Sequence, residues 1–145
     1  MYKMIFMLIV MISLSANLFA QKKAPAAVIT AFKTKFSAAT AVKWQKENAH
    51  EYEADFMLDS VKHSANFSDK GAWLETESSI SFADLPQKVQ TAFNAVYHKR
   101  VLAVAKIETA KGETEYEIEI IKNTVKKIEL FYSTEGVLIK QSERF

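Results

Sequence analysis

The chain repeats itself, and this constrains its fold more than any other property. Pro25, Val28, Thr30, Ala31 and Phe32 recur as Pro86, Val89, Thr91, Ala92 and Phe93, all at an offset of 61 residues. Tyr52-Glu53-Ala54-Asp55-Phe56 recurs as Tyr116-Glu117-Ile118-Glu119-Ile120 at offset 64, and Gly71 as Gly136 at offset 65. Each change of offset can be placed in a turn. Matches in this order mean one supersecondary unit built twice, so the same elements must be read in each half.

Each unit opens with a helix. Pro25 and Pro86 suit the first helical turn, where a missing N–H costs nothing. Val28, Ala31, Phe32 and Phe36 fall at helical spacing in the first, and Val89, Ala92, Phe93, Val96 and Tyr97 in the second, giving one apolar stripe each. The rest of each unit alternates with period two, as half-buried strands do. Tyr52, Ala54, Phe56 and Leu58 point to a core while Glu51, Glu53 and Asp55 point away. Tyr116, Ile118 and Ile120 face inward in the same way, and Glu115, Glu117 and Glu119 outward.

Turn chemistry bounds the strands. Asp69-Lys70-Gly71 and Thr134-Glu135-Gly136 read as hairpin loops that need a glycine at positive φ. Asp59-Ser60 and Lys122-Asn123 are two-residue turn candidates. Four strands per unit result: 41–47, 51–58, 61–67 and 72–77, then 101–109, 115–121, 125–132 and 137–142. Short loops make each set an antiparallel meander, with its helix on one face. The fold class is therefore α+β, a tandem repeat of a helix plus a four-stranded antiparallel meander. Residues 21–82 form the first repeat and 83–145 the second, within one compact domain.

Residues 1–20 have a different character. Lys3 is their only charge, and an unbroken apolar run covers Met4 to Ile12. That is the layout of a secretory signal peptide, with cleavage expected after Ala20, and the run is too short to span a bilayer. An uncleaved anchor helix is the alternative. The expected location is periplasmic or secreted. There is no cysteine, which excludes disulfides, thiolate catalysis and cysteine metal sites. The 19 basic and 17 acidic residues leave a net charge of +2, too balanced to attract nucleic acid or an anionic membrane. No stable membrane insertion is expected once the leader is removed.

A helix followed by a four-stranded meander, duplicated behind a leader, resembles the PepSY-like, beta-lactamase-inhibitor-like proteins. The residues that carry the likeness are Ala31-Phe32 with Phe36, Val42-Lys43-Trp44, and Tyr52-Glu53-Ala54-Asp55-Phe56. Gly71-Ala72-Trp73-Leu74-Glu75-Thr76-Glu77, Leu85-Pro86 and Tyr116-Glu117-Ile118-Glu119 complete it. The resemblance implies that the two sheets join into one curved surface with the helices on one face. It also implies a concave side of the kind with which the namesake inhibitors grip a partner enzyme, although the family as a whole has no agreed activity. The missing cysteines depart from the disulfide-bearing inhibitors, which argues against direct beta-lactamase inhibition.

The residues themselves offer little chemistry. His50, His63 and His98 are scattered without metal-ligand spacing, and three separated glycines cannot build a phosphate loop. No catalytic residue, metal site or cofactor is expected. The distinctive polar feature is the pair of carboxylate rows: Glu51, Glu53 and Asp55, and Glu115, Glu117 and Glu119, with Glu75 near the junction. They form a solvated sheet face, a docking surface or a hard-cation site. Lys43, Lys62, Lys106 and Lys127 are expected beside them as cross-strand partners. Trp44 shares a side with Val42 and belongs to the core, with its repeat equivalent near Ile107. Trp73 falls among the charges of Glu75 and Glu77, where it would anchor an interface, or packs at the junction or under a loop. A one-residue shift of register separates these. The expected function is non-catalytic binding of an envelope protein or peptide through the open face, as an inhibitor or sensor of an envelope enzyme. The alternative is a binder of small ligands or metal ions. Lys140 and Glu143 on the last strand oppose edge pairing, so a monomer or weak dimer is expected.

Overall fold

The computed structural model describes residues 24–124 and 126–144. The expected leader lies outside the described residues. The chain runs α1 (Ala26–Lys35), β1 (Thr40–Lys46), β2 (Glu51–Leu58), β3 (Val61–Ser68) and β4 (Trp73–Ser79). A 3-10 turn at Phe82–Asp84 then leads to α2 (Gln87–Val96), β5 (Val101–Thr109), β6 (Thr114–Ile121), β7 (Lys127–Ser133) and β8 (Leu138–Arg144). All eight strands form one antiparallel sheet in chain order, β1 to β8. The two meanders join where β4 pairs with β5, from Glu75 opposite Thr109 to Ser79 opposite Ala105.

Both prolines stand one position ahead of their helices, where each still offers its carbonyl to the first turn. Val28 and Phe32 are the buried side chains of α1, and Val89 and Phe93 those of α2. The helices cover two separate clusters on the same side of the sheet. The first is aromatic. Phe32 meets Phe56 edge to face at 5.0 Å and Trp44 at 5.3 Å, above Ala54, Ala65 and Phe67. The second is largely aliphatic and sets Leu85, Val89 and Phe93 against Val104, Ile118, Ile120, Ile128, Leu130 and Tyr132. Full burial of each such large side chain stabilises by about 1.5–3 kcal/mol.

Val96 departs from the expected stripe and is 67% exposed. The helix ends there, and Tyr97 turns into an extended conformation, donating its N–H to the Phe93 carbonyl and stacking on the Phe93 ring. Tyr97 thus covers the end of the core that the next helical turn would have reached. Val42, expected inside with Trp44, is half-exposed, because the β1–β2 register slips between Thr40 and Lys43 and Ala41 adopts a φ of 53°.

The turns are mostly those the residues dictate. Asp59 and Ser60, at φ 50° and 64°, form a two-residue hairpin of the type that needs two left-handed residues. Gly71 and Gly136 have φ of 86° and 79°. Lys122-Asn123 is not a two-residue turn. The Lys122 N–H reaches the Lys126 carbonyl at 2.9 Å, and Asn123 Oδ1 accepts the Lys126 N–H at 2.9 Å, so a longer loop held by an asparagine side chain joins β6 to β7. The sheet's irregularities recur as the sequence does. Register slips occur at Asn66/Phe67 and again at Phe131/Tyr132, 65 residues later.

Candidate functional site: the concave face of the sheet

The face away from the helices is where the carboxylates converge. Because β2 puts Ala54 and Phe56 into the core, period two turns Glu53 and Asp55 outward, and β6 does the same with Glu115, Glu117 and Glu119. The sheet curls around this face. Ile107 and Glu129 lie on it by register, opposite Glu115 and Glu119, yet are only 3% and 5% exposed. The resulting groove has a volume of about 800 Å³ and takes lining residues from both halves of the chain.

Its rows differ in how they are held. Gln45 Nε2 donates to Glu53 at 2.7 Å, Asn48 Nδ2 to Glu51 at 2.7 Å, and Asn66 Nδ2 to Glu75 at 3.0 Å. These amides position the carboxylates without neutralising them. In the second half Lys127 donates to Glu119 at 3.0 Å, which offsets the like charge of Glu129 directly across the ladder, and Ser142 donates to Glu129 at 2.8 Å. Burial raises the pKa of Glu53, and the charges of Asp55 and Glu47 push it the same way against the bonds from Gln45 and Ser64.

Glu51, Glu53, Asp55, Glu75, Glu115, Glu117 and Glu119 all stand on this face, as expected. Trp73 does not. The slip at Asn66/Phe67 places it opposite Phe67, on the helix side. There its Nε1–H donates to Thr76 Oγ1 at 2.9 Å, and Lys35 at the end of α1 sits 3.7 Å above its ring. Lys43 and Lys127 are on the carboxylate face, opposite Asp55 and Ile121, and Lys62 lines the groove. Lys106 is on the other side. It pairs in register with Tyr116 and Ser78 and donates to Glu108 at 2.8 Å. The first strands of the two repeats correspond at an offset of 60 residues rather than 63. Trp44 lies opposite Ala54 as Val104 lies opposite Ile118, so Val104 rather than Ile107 is its equivalent. That odd-numbered shift exchanges the faces of Lys106 and Ile107.

Glu77 and Glu129 also line the groove and complete its acidic banks. Both were legible. Glu77 alternates with Glu75, and Glu129 lies between the inward Ile128 and Leu130. The supporting amides of Gln45 and Asn66 carried no such signal, because their roles depend on which strands become neighbours. The histidines do not converge. His63 stacks on Phe56 and shares a hydrogen bond with Ser78 Oγ at 2.9 Å, His50 lies 3.4 Å from Asp69 at an exposed turn, and His98 follows α2. Among the described residues, no three His, Cys, Asp or Glu side chains are grouped so as to hold a metal ion. No helix among them is long and apolar enough to cross a membrane.

The family described as "Putative beta-lactamase-inhibitor-like, PepSY-like" matches the sequence twice, over residues 10–60 and 50–140. No curated protein matches it significantly. Among solved structures, the chain is similar to a BLIP-like protein from Bacteroides fragilis, at 28% identity and a TM-score of 0.67, over 83% of this chain and 86% of that one. A DUF2874 family protein from Bacteroides ovatus is 26% identical, with a TM-score of 0.72 over 83% and 88% of the two chains. A protein from Bacteroides eggerthii described as one of the "putative periplasmic proteins" is 21% identical, with a TM-score of 0.74 over 83% and 89%, and shows the shared fold. With the family pattern matched along most of its length, the chain belongs to the PepSY-like, beta-lactamase-inhibitor-like family.

Proposed function

We propose that this chain is an exported, non-catalytic binding protein that engages an envelope protein or peptide through the concave face of its sheet, as an inhibitor or sensor of an envelope enzyme. Repeats 21–82 and 83–145 act as one binding domain, cleaved from its leader after Ala20 and working in the periplasm or outside the cell. One observation carries this reading: both halves place carboxylates on a single curved, helix-free face, where side-chain amides fix the orientation of several of them. Such charges govern partner choice and association rate more than affinity. Family membership and the BLIP-like description of one structural relative support the same reading. The contact residues are Glu51, Glu53, Asp55, Glu75, Glu115, Glu117 and Glu119, while Trp73 supports the sheet from behind.

Affinity capture from an envelope extract tests the proposal. A Glu53→Lys/Glu117→Lys variant should lose the proteins that wild type retains. Glu108→Lys, with a charge change of the same kind on the opposite face, should keep them. Identical capture by all three removes the concave face as the site.

A further inference from the structure

The groove's charge is segregated from that of the rest of the molecule. The chain carries a net +2, yet the groove is lined by ten carboxylates against two lysines, Lys62 and Lys140; of the ten, Glu119 is paired with Lys127, and Glu143 with Lys122 and Lys126. Down its middle runs β5, which turns Ala103, Ala105 and Ile107 into the groove and Thr109 to the same face beyond it, without charge or bulk at the first two. Glu75 and Glu77 of β4 flank this strip on one side, and Glu115, Glu117 and Glu119 of β6 flank it on the other. Along each bank the carboxylates recur every second residue, about 6.8 Å apart at the rise of an antiparallel strand. An extended peptide presents its own side chains on one side at that same interval. In the wall beside Glu53 and Glu75, Asn66 Oδ1 is buried without a hydrogen-bond partner, an acceptor that the described residues leave unfilled.

We propose that the occupant of the concave face is an extended segment of a partner protein with Lys or Arg at alternate positions, laid along β5 between the two acidic banks. The proposal rests on the reading that this face is the docking site and adds the chemistry of what docks. Its opposite charge relieves the repulsion that the amide-held carboxylates retain, its period matches theirs, and the alanine floor admits its backbone.

The test uses two labelled nine-residue peptides of equal composition, one alternating lysine with threonine and one with its lysines in a contiguous block. Binding to the mature chain is read by fluorescence anisotropy. The alternating peptide should bind at least tenfold more tightly than the block peptide. Raising the salt from about 0.05 M to about 0.5 M, where screening shortens to a few ångströms, should weaken it at least tenfold. Glu77→Gln/Glu117→Gln, confirmed folded by its melting curve, should lose binding by a similar factor, and Glu108→Gln should not. Equal affinity for the two peptides, or binding insensitive to the double variant, overturns the proposal. If envelope capture depends on the concave face but the alternating peptide neither binds nor competes, the docking face stands and this inference falls.

Discussion

At Gly136 a single added methyl group would sit 2.6 Å from the carbonyl oxygen of Lys88, and at Gly71 one would sit 2.8 Å from that of Ala27. Ala27 and Lys88 are themselves equivalent across the repeat, so both halves bring a hairpin glycine onto the backbone of the helix's first turn. At Gly112, which shares the positive φ, nothing lies within 4 Å. Gly136→Ala should therefore cost about 2–4 kcal/mol, from overpacking plus backbone strain, and Gly112→Ala only about 1–2 kcal/mol from strain alone. The difference should appear as separated midpoints in urea. Tyr132 carries a second residue-scale prediction. Burial in the second core pushes its pKa up to about 12, and Tyr97 adds to the shift. Its folded value exceeds the unfolded value near 10, so its contribution to stability is complete below pH about 10 and is lost as pH rises towards 12. Tyr132→Phe should flatten that part of the stability curve, as measured by melting temperature from pH 9 upward.

At the scale of elements, strands β2 and β5 run over the residues that alternation and turn chemistry predicted, 51–58 and 101–109. In β2 the faces followed as well, because that strand buries one face and period two then leaves a single register; in β5, which buries Val104 on one face and Ile107 on the other, only the bounds followed. The pattern failed where a register slip changes the count. Trp73 changed sides at the slip beside Phe67, and a slip is a property of two paired strands rather than of either sequence. Val96 failed for another reason. Its spacing is helical, but the helix had already handed its covering role to Tyr97. The carboxylate rows were legible because period two places them, whereas the curvature that makes a groove of them depends on all eight strands together. The Asp59-Ser60 hairpin has a residue to improve. Ser60 holds a φ of 64°, which glycine adopts without a side-chain clash. Ser60→Gly should raise stability by about 0.5 kcal/mol, a melting-temperature increase of about 2 °C.

For the whole molecule, the decisive arrangement is two cores under one sheet. The aromatic cluster beneath α1 and the largely aliphatic cluster beneath α2 are separate, and the β4–β5 ladder joins the halves. Phe67 is fully buried in the first cluster, so Phe67→Ala should cost about 3–5 kcal/mol. The loss should be local. Amide hydrogen exchange should accelerate across β1 to β3, while Ile118, Ile120 and Leu130 in the other half retain their protection. Equal acceleration in both halves would show that the molecule opens as a single unit. The seam also has a consequence for any guest. Two blocks hinged along one ladder of backbone bonds are free to unzip separately, but something gripping both at once works as a strap, so that neither can open without releasing it and the pair melts together.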